Sequence, residues 1–230
     1  MTLASHDSWS KGSFIAELPD AERAALLNAG EPYRFEDEQI LVLQGDPGEF
    51  VYLLTSGLVK VIVTAASGVA TTLAIRSRGD LVGEFALLDD KPRTATARAV
   101  GVVTALKVNG SAFLEITGRS TAAQLTVTRY LLSKMRSATE QRAADRVWDA
   151  KERVAQVLYE LGERHAQPCP DGTVRLPITQ GELGDLAGVA VSTAERVLKE
   201  LRKQGVVATR YREITIRDMA YLGSMRFPHE

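Results

Sequence analysis

Gly79-Asp80-Leu81-Val82-Gly83-Glu84-Phe85-Ala86-Leu87-Leu88-Asp89-Asp90-Lys91-Pro92-Arg93-Thr94-Ala95 is the most specific text in the chain. Gly83 leaves room for close backbone approach and Glu84 offers two acceptor oxygens. Phe85-Ala86-Leu87-Leu88 reads as one short helical turn whose free amides attract an anion. Nine residues after Glu84, Arg93 brings a planar fork that can grip phosphate oxygens in a bidentate pair, and the Thr94 hydroxyl adds a hydrogen bond. A carboxylate for a sugar hydroxyl, beside an arginine and open amides for a phosphate, describes a nucleotide-sized site. The same two charges also suit a plainer arrangement, an internal Glu84–Arg93 salt bridge closing a turn excursion, and the residues alone leave both open.

Outward from this stretch, Tyr33 to Val108 is a series of short apolar runs: Gln39–Leu43, Phe50–Leu54, Val59–Val63, Thr71–Ile75, Ala95–Ala99 and Val102–Val108. Gly45, Gly48, Gly57, Gly68, Gly79 and Gly101 punctuate them at the spacing of an all-β sandwich or barrel. Before them, Leu18-Pro19-Asp20-Ala21-Glu22 places a proline and acids at the start of a short helix, with Leu26 and Leu27 on its apolar side.

After Gly118 the pattern changes. From Ser120 to Leu161 there is neither Pro nor Gly, and Leu125, Leu132 and Met135 fall on one stripe, as do Val147, Val154, Leu158 and Leu161 farther on. This is an extended partner-packing helix, two helices jointed near Asp145–Asp149, or an internal core helix. Gln167-Pro168-Cys169-Pro170-Asp171-Gly172 reads as a surface turn. Thr179-Gln180-Gly181-Glu182 is a capping box opening the helix Gln180–Leu186, Gly188 supplies a turn, and Val191–Gln204 reads as a second helix ended by Gly205. Ser192-Thr193-Ala194-Glu195 is a second capping-box pattern that would start this helix one turn later. Val206–Thr209 and Glu213–Ile216 then form a hairpin, completing the layout of a winged helix-turn-helix. From Val189 to Arg217 seven bases face three acids, a local basic surface inside a chain whose 28 Lys and Arg nearly balance 29 Asp and Glu.

Composition narrows the classes. With 230 residues, 45% of them apolar, the chain holds one or two globular domains. A lone cysteine, Cys169, excludes an internal disulfide framework, a four-cysteine zinc site and a cysteine-ligated iron–sulfur cluster within one chain. His6, His165 and His229 are scattered, so no metal is expected. No histidine stands near a serine or the cysteine in a catalytic motif, and no G-x-S-x-G or P-loop occurs, so an enzyme is not expected. Met1–Asp7 lacks the layout of a signal peptide. Val51–Ile75, the longest nearly uncharged run, is broken by Lys60 and reads as strands, so neither export nor a membrane is expected.

Gly83-Glu84-Phe85-Ala86-Leu87 followed by Pro92-Arg93-Thr94-Ala95 resembles the phosphate-binding cassette of cyclic-nucleotide-binding domains. The stretch from Gly45-Asp46-Pro47-Gly48-Glu49 through Gly57 to Val61 is similar to the paired-glycine text of their β-roll. With the long helix and the winged helix, the chain resembles the CRP/FNR family of bacterial transcription regulators from about Phe14 to Asp218. The resemblance implies an α+β protein in three parts: a jelly-roll-like cyclic-nucleotide-binding β-roll over 1–118, a dimerisation helix and hinge over 119–148, and a winged helix-turn-helix over 149–230. It further implies that Glu84 holds the ribose 2′-hydroxyl and Arg93 the cyclic phosphate. Gly83, Phe85 and Ala86 would supply backbone contacts and Thr94 a hydroxyl.

Ala138-Thr139 falls where cAMP receptors of the family place a Thr-Ser pair against adenine; Thr139 can hydrogen-bond the purine and Ala138 cannot. The implied effector is cAMP, with cGMP as the other choice. The implied partners are a palindromic double-stranded DNA, a second copy of the chain and RNA polymerase, in the cytoplasm. For DNA the candidates are Thr179, Gln180, Val191, Ser192, Thr193, Arg196 and Lys199. The recognition helix departs from the family, since Ala190-Val191-Ser192-Thr193 stands where relatives carry Ser-Arg-Glu-Thr. That departure removes base contacts worth about 1–3 kcal/mol each. Two other readings are a winged-helix regulator with a different effector or none, and a cyclic-nucleotide module acting on protein partners.

Overall fold

The computed structural model describes residues 9, 12–165, 167–168 and 171–225, without the side chains of 140–147, 164–165 and 167–168. His6, Cys169, His229 and the Met1–Asp7 segment lie outside the described residues, as do the His165 and Val147 side chains. The chain divides into two compact units, one of residues 1–64 and 76–135, the other of 65–75 and 136–230.

In the first unit, α1 (Phe14–Glu17) and α2 (Asp20–Ala29) precede β1 (Glu31–Phe35), β2 (Ile40–Val42) and β3 (Phe50–Thr64). β4 (Ala70–Arg76), whose residues up to Ile75 belong to the second unit, is followed by β5 (Leu81–Val82), α3 (Glu84–Leu88), β6 (Thr96–Asn109), α4 (Gly110–Gly118) and α5 (Thr121–Val147), which passes into the second unit after Met135. Strands β1, β6 and β3 are neighbours in that order in one sheet, with β2 added to β6 and β5 to β3. Its spine is the long antiparallel pair of β3 with β6, from Phe50 opposite Asn109 to Ile62 opposite Thr96. Alternation along β3 sorts side chains between two cores. Val51 and Leu53 join Phe14, Leu26, Phe113 and Ile116 of the helices. Tyr52 and Leu54 join Phe35, Val82, Ala97 and Val103 in a core made by strands alone.

Two separate strands were expected on either side of Gly57, and two on either side of Gly101; each pair is one continuous strand. Both glycines adopt left-handed φ, 80° and 65°. The register of β3 shifts on either side of Ser56, so the glycine text makes a bulge that bends a strand and not a turn that ends one. The extra residue exchanges the faces, so that even-numbered Tyr52 and Leu54 share a core with odd-numbered Val59.

The long apolar-striped run is two helices, α5 and α6 (Ala150–His165). The joint is set by Asp149, whose carboxylate accepts from Lys151 N at 2.7 Å and Glu152 N at 2.9 Å while Glu152 accepts from Asp149 N at 2.8 Å. An internal core helix is ruled out for α5: Ala123, Thr126 and Tyr130 are buried, but Leu125, Leu132 and Met135 stand exposed, Met135 by 60%.

The second unit adds β7 (Gln167–Pro168), β8 (Val174–Leu176), α7 (Gln180–Leu186), α8 (Val191–Lys203), β9 (Val207–Arg210), β10 (Glu213–Ile216) and α9 (Met219–Ser224), with a sheet in the order β7-β8-β10-β9. Among the described residues no helix is long and apolar enough to cross a membrane, and no group of three or more His, Cys, Asp or Glu could hold a metal ion.

The bulge carries a stability prediction. A Cβ on Gly57 would stand 2.5 Å from the Val102 carbonyl oxygen, with a φ that side chains avoid. Gly57→Ala is expected to lower unfolding free energy by about 1–3 kcal/mol, read as a reduced urea midpoint at unchanged slope. A midpoint equal to that of the unsubstituted protein would refute the close approach.

Candidate functional site

The Gly79–Ala95 stretch folds back on β3 through its glycines. Gly79, at φ 90°, donates to Leu54 O at 2.8 Å, and Leu54 N donates to Asp80 O at 3.0 Å. Gly83, also at φ 90°, opens the five-residue α3. A Cβ there would collide with the Arg93 guanidinium, and one on Gly48 would stand 2.6 Å from the Ala86 carbonyl. Both glycines therefore let groups approach where any side chain would block them.

Arg93 is fastened at both ends. Its N–H donates to Asp46 O at 2.8 Å, its carbonyl accepts from Gly45 N at 2.9 Å, and the side chain is 3% exposed. Nη1 donates to Gly83 O at 2.5 Å and Nη2 to Phe50 O at 2.7 Å, with the guanidinium carbon 4.8 Å from the centre of the Phe50 ring. The expected alternative, a Glu84–Arg93 salt bridge, is not what forms: the arginine's terminal nitrogens go to backbone carbonyls.

Glu84 is 3% exposed, and burial pushes its carboxyl above the ordinary range. Arg76, its own backbone amide and Lys134 pull it back in part, while Asp80 pushes the same way as burial. Glu84 is thus a desolvated acceptor that forms no ion pair among the described residues, suited to a hydroxyl donor on a ligand. Gly83, Glu84, Ala86 and Arg93 come together as one wall. Phe85 and Thr94 are on its exposed side, and Thr139 stands exposed on the part of α5 that belongs to the other unit. Phe50 and Arg76 are not legible as site residues in the sequence, because strand register and not local spacing brings Phe50 to Arg93 and Arg76 within the influence of Glu84.

In the second unit the expected capping box forms: Thr179 Oγ1 accepts from Glu182 N at 3.1 Å and Glu182 accepts from Thr179 N at 2.8 Å. Gln180, half-buried, is the first residue of α7. Gly188, at φ 61°, turns the chain into α8, and its carbonyl accepts from Arg153 Nη1 at 3.1 Å. The later start through Ser192 is not adopted, since Ala190 caps the helix without a side-chain bond and α8 begins at Val191. Ala194, Val197, Leu198 and Leu201 are buried. Val191, Ser192, Arg196, Lys199, Arg202 and Lys203 are exposed, and Thr193 is half-buried. Arg202 Nη1 donates to Thr209 Oγ1 at 2.9 Å, tying this helix to the hairpin. A helix with a cationic outer face, fixed to a wing, is built to lie against nucleic acid.

The two halves together define a small-molecule-sensing roll joined to a winged DNA-binding head, and comparison with known proteins gives the same class. Residues 32–120 match the family model for the cyclic nucleotide-binding domain, and residues 152–225 that for the Crp-like helix-turn-helix domain. A "Cyclic AMP receptor protein" of Thermus thermophilus is 31% identical over 184 residues, covering 80% of this chain and 82% of the relative. An "Anaerobic regulatory protein" of Pasteurella multocida is 26% identical over 81% of this chain and 68% of the relative. The solved structure of a CRP-family transcriptional regulator, also from Thermus thermophilus, has a TM-score of 0.69 at 26% identity, over 84% of this chain and 96% of that one. The chain belongs to the CRP/FNR family: it is a DNA-binding transcription regulator with a cyclic nucleotide-binding domain, and not an enzyme.

The buried carboxyl sets a pH dependence. Its folded-state pKa lies above the unfolded value of 4.5. In that window the folded protein therefore binds more protons than the unfolded one, and stability falls as pH rises. The ligand-free Glu84→Gln variant, which lacks this ionisation, is expected to gain melting temperature relative to the unsubstituted protein as pH rises from 4.5. The gain levels off above the folded pKa. Thermal melts at a series of pH values test this, and a difference that shrinks with rising pH would contradict it.

Proposed function

We propose that this regulator works as a homodimer in the cytoplasm. A cyclic nucleotide, cAMP foremost, binds in the roll, and two copies of α8 read a palindromic operator. The observation that carries the effector reading is the closeness of Glu84, a buried carboxyl that forms no ion pair among the described residues, to Arg93, a buried guanidinium bonded to the carbonyl of a side-chain-free Gly83. In this reading Glu84 accepts from the ribose 2′-hydroxyl and Arg93 turns to the cyclic phosphate. Gly83, Phe85 and Ala86 bring backbone groups, Thr94 a hydroxyl, and Thr139 a hydrogen bond to the purine. The Thermus thermophilus relative's name, a cyclic AMP receptor, supports cAMP over cGMP.

Dimerisation through α5 is supported by the exposed Leu125, Leu132 and Met135, which repeat at near-heptad spacing along one side of the helix. The two recognition helices would meet half-sites about 34 Å apart. Thr179, Gln180, Val191, Ser192 and Thr193 approach the backbone and groove edge, Arg196 a guanine and Lys199 a phosphate. RNA polymerase is the partner such a regulator addresses once on DNA. The ligand acts by binding the DNA-competent arrangement more tightly than the idle one, and the ratio of the two affinities limits the response.

A second reading keeps the DNA function with another effector or none. It draws on the two carbonyls that already engage Arg93, on Ala138, which offers adenine no donor, and on the anaerobic regulatory relative. The third, a module acting on protein partners, leaves the basic face of α8 without a role.

Calorimetric titration with cAMP and then cGMP decides between the first two. Micromolar binding, about −8 kcal/mol, supports the cyclic nucleotide, and absence of heat with both favours the second reading. Arg93→Ala is expected to abolish that binding and to lower stability by about 1–3 kcal/mol, because two carbonyls lose their donor. Unchanged nucleotide affinity would remove Arg93 from the site. Arg196→Ala should weaken binding to a selected operator far more than to mixed-sequence DNA, whereas an equal loss on both would make Arg196 a phosphate contact.

A further inference from the structure

Behind the Glu84 wall lies a polar cluster that neither the phosphate grip nor α8 uses. Asp80, four residues before Glu84, is buried and held by two elements. Its Oδ2 accepts from Ser77 N at 3.1 Å. Its Oδ1 accepts from Tyr130 Oη at 3.3 Å and from Lys134 Nζ at 3.3 Å, both one turn apart on α5. Tyr130 Oη also accepts from Leu81 N at 3.0 Å, which ties the helix to the backbone of β5, and the Lys134 ammonium stands 4.4 Å from the Tyr130 ring. The Tyr130 ring itself packs edge-on against Phe14, 5.5 Å away, within an otherwise apolar core.

Apolar side chains would pack this seam at least as stably, since a buried ion pair rarely outperforms a hydrophobic replacement of its size. What the polar groups add is sensitivity to charge. Burial brings the Lys134 ammonium down to about 8, with Arg76 acting in the same direction and Asp80 and Glu84 opposing it. Tyr130 is raised by burial and by the Asp80 and Glu84 carboxylates. Glu84 feels Lys134 and Asp80 in return. A ligand hydroxyl donating to Glu84 favours the carboxylate over the acid, with any proton released to solvent. That negative charge draws Lys134 and repels Asp80, and both residues are bonded into the seam between β5 and α5.

We infer that Asp80, Tyr130 and Lys134 form the link through which occupancy at Glu84 sets how firmly α5 is held to the roll, Tyr130 and Lys134 being positioning residues and not ligand contacts. The inference rests on the nucleotide reading of the site. α5 is the right element for such a link, because its residues up to Met135 belong to the roll unit and those from Arg136 to the unit that carries α8.

The test uses the full chain with cAMP as the probe, in unsubstituted form and as Tyr130→Phe, Lys134→Met and Lys134→Arg. Two quantities are read: nucleotide affinity by calorimetry, and the slowing of amide exchange over residues 131–147 on nucleotide addition. Tyr130→Phe keeps the ring and the core. The expected result is affinity within about twofold of the unsubstituted protein in all variants. Nucleotide-induced protection should fall about fivefold or more in Tyr130→Phe and Lys134→Met, with Lys134→Arg restoring it. Full protection in both of the first two variants, with nucleotide bound, overturns the link alone. A loss of affinity beyond about tenfold in Tyr130→Phe overturns it too, by making the cluster part of the ligand site. If the unsubstituted protein takes up no cAMP, the effector reading falls and the link falls with it.

Discussion

Inside the roll, a carboxyl and a guanidinium are both removed from water without forming an ion pair with each other. Arg93 is held by the carbonyls of Gly83 and Phe50, and Glu84 is left with attractions from Arg76 and Lys134 that fall short of cancelling the cost of burial. Much else in the first unit follows from keeping these two groups in place. The left-handed glycines let the cassette close over the guanidinium, the Gly45–Asp46 backbone brackets Arg93 from the other side, and β3 supplies both a carbonyl and an aromatic face. A fold that buries charge in this way stores an interaction whose energy changes when a polar ligand arrives, and a purely apolar core has no equivalent.

The second unit solves a different problem, presenting a helix to a polyanion with its orientation fixed. Its apolar stripe of Ala194, Val197, Leu198 and Leu201 sets the rotation of α8, so that Arg196, Lys199, Arg202 and Lys203 share the outer side. The Arg153 bond to the turn carbonyl and the Arg202 bond to the wing restrain the helix at two places. Glu200, 3.8 Å from Arg196 and on the exposed surface, is too weakly coupled in water to hold that arginine back from a stronger acceptor.

How much of this was legible in the sequence depended on how far apart the participating residues lie. Glu84, Arg93, Gly83 and the Thr179 box were readable because their chemistry is local: a glycine, a charge and a cap a few residues apart. The joint at Asp149 was visible as a polar cluster, although not as a reciprocal cap. Phe50, Arg76, Tyr130 and Lys134 were invisible as site residues, since strand register and helix packing bring them in from 8 to 50 residues away along the chain from Glu84. Ser192 misled for the opposite reason. Its local pattern suits a cap, but the buried stripe of α8 and the turn at Gly188 start the helix at Val191.

The bulge at Gly57 bears on how the gene encoding this chain can vary. Because β3 changes which face its odd and even residues occupy at that point, a one-residue deletion at Leu58, just past the bulge, would turn every later residue of the strand to the opposite face. It would carry Lys60, now paired with Glu38 at 2.8 Å, toward the strand core that Val59 fills. Substitutions along the strand can be absorbed singly, whereas a change of length is felt by every residue after it up to Thr64. Descendants of this sequence are therefore expected to keep the spacing from Tyr52 to Val59 while the neighbouring Ala65–Val69 turn is free to lengthen or shorten.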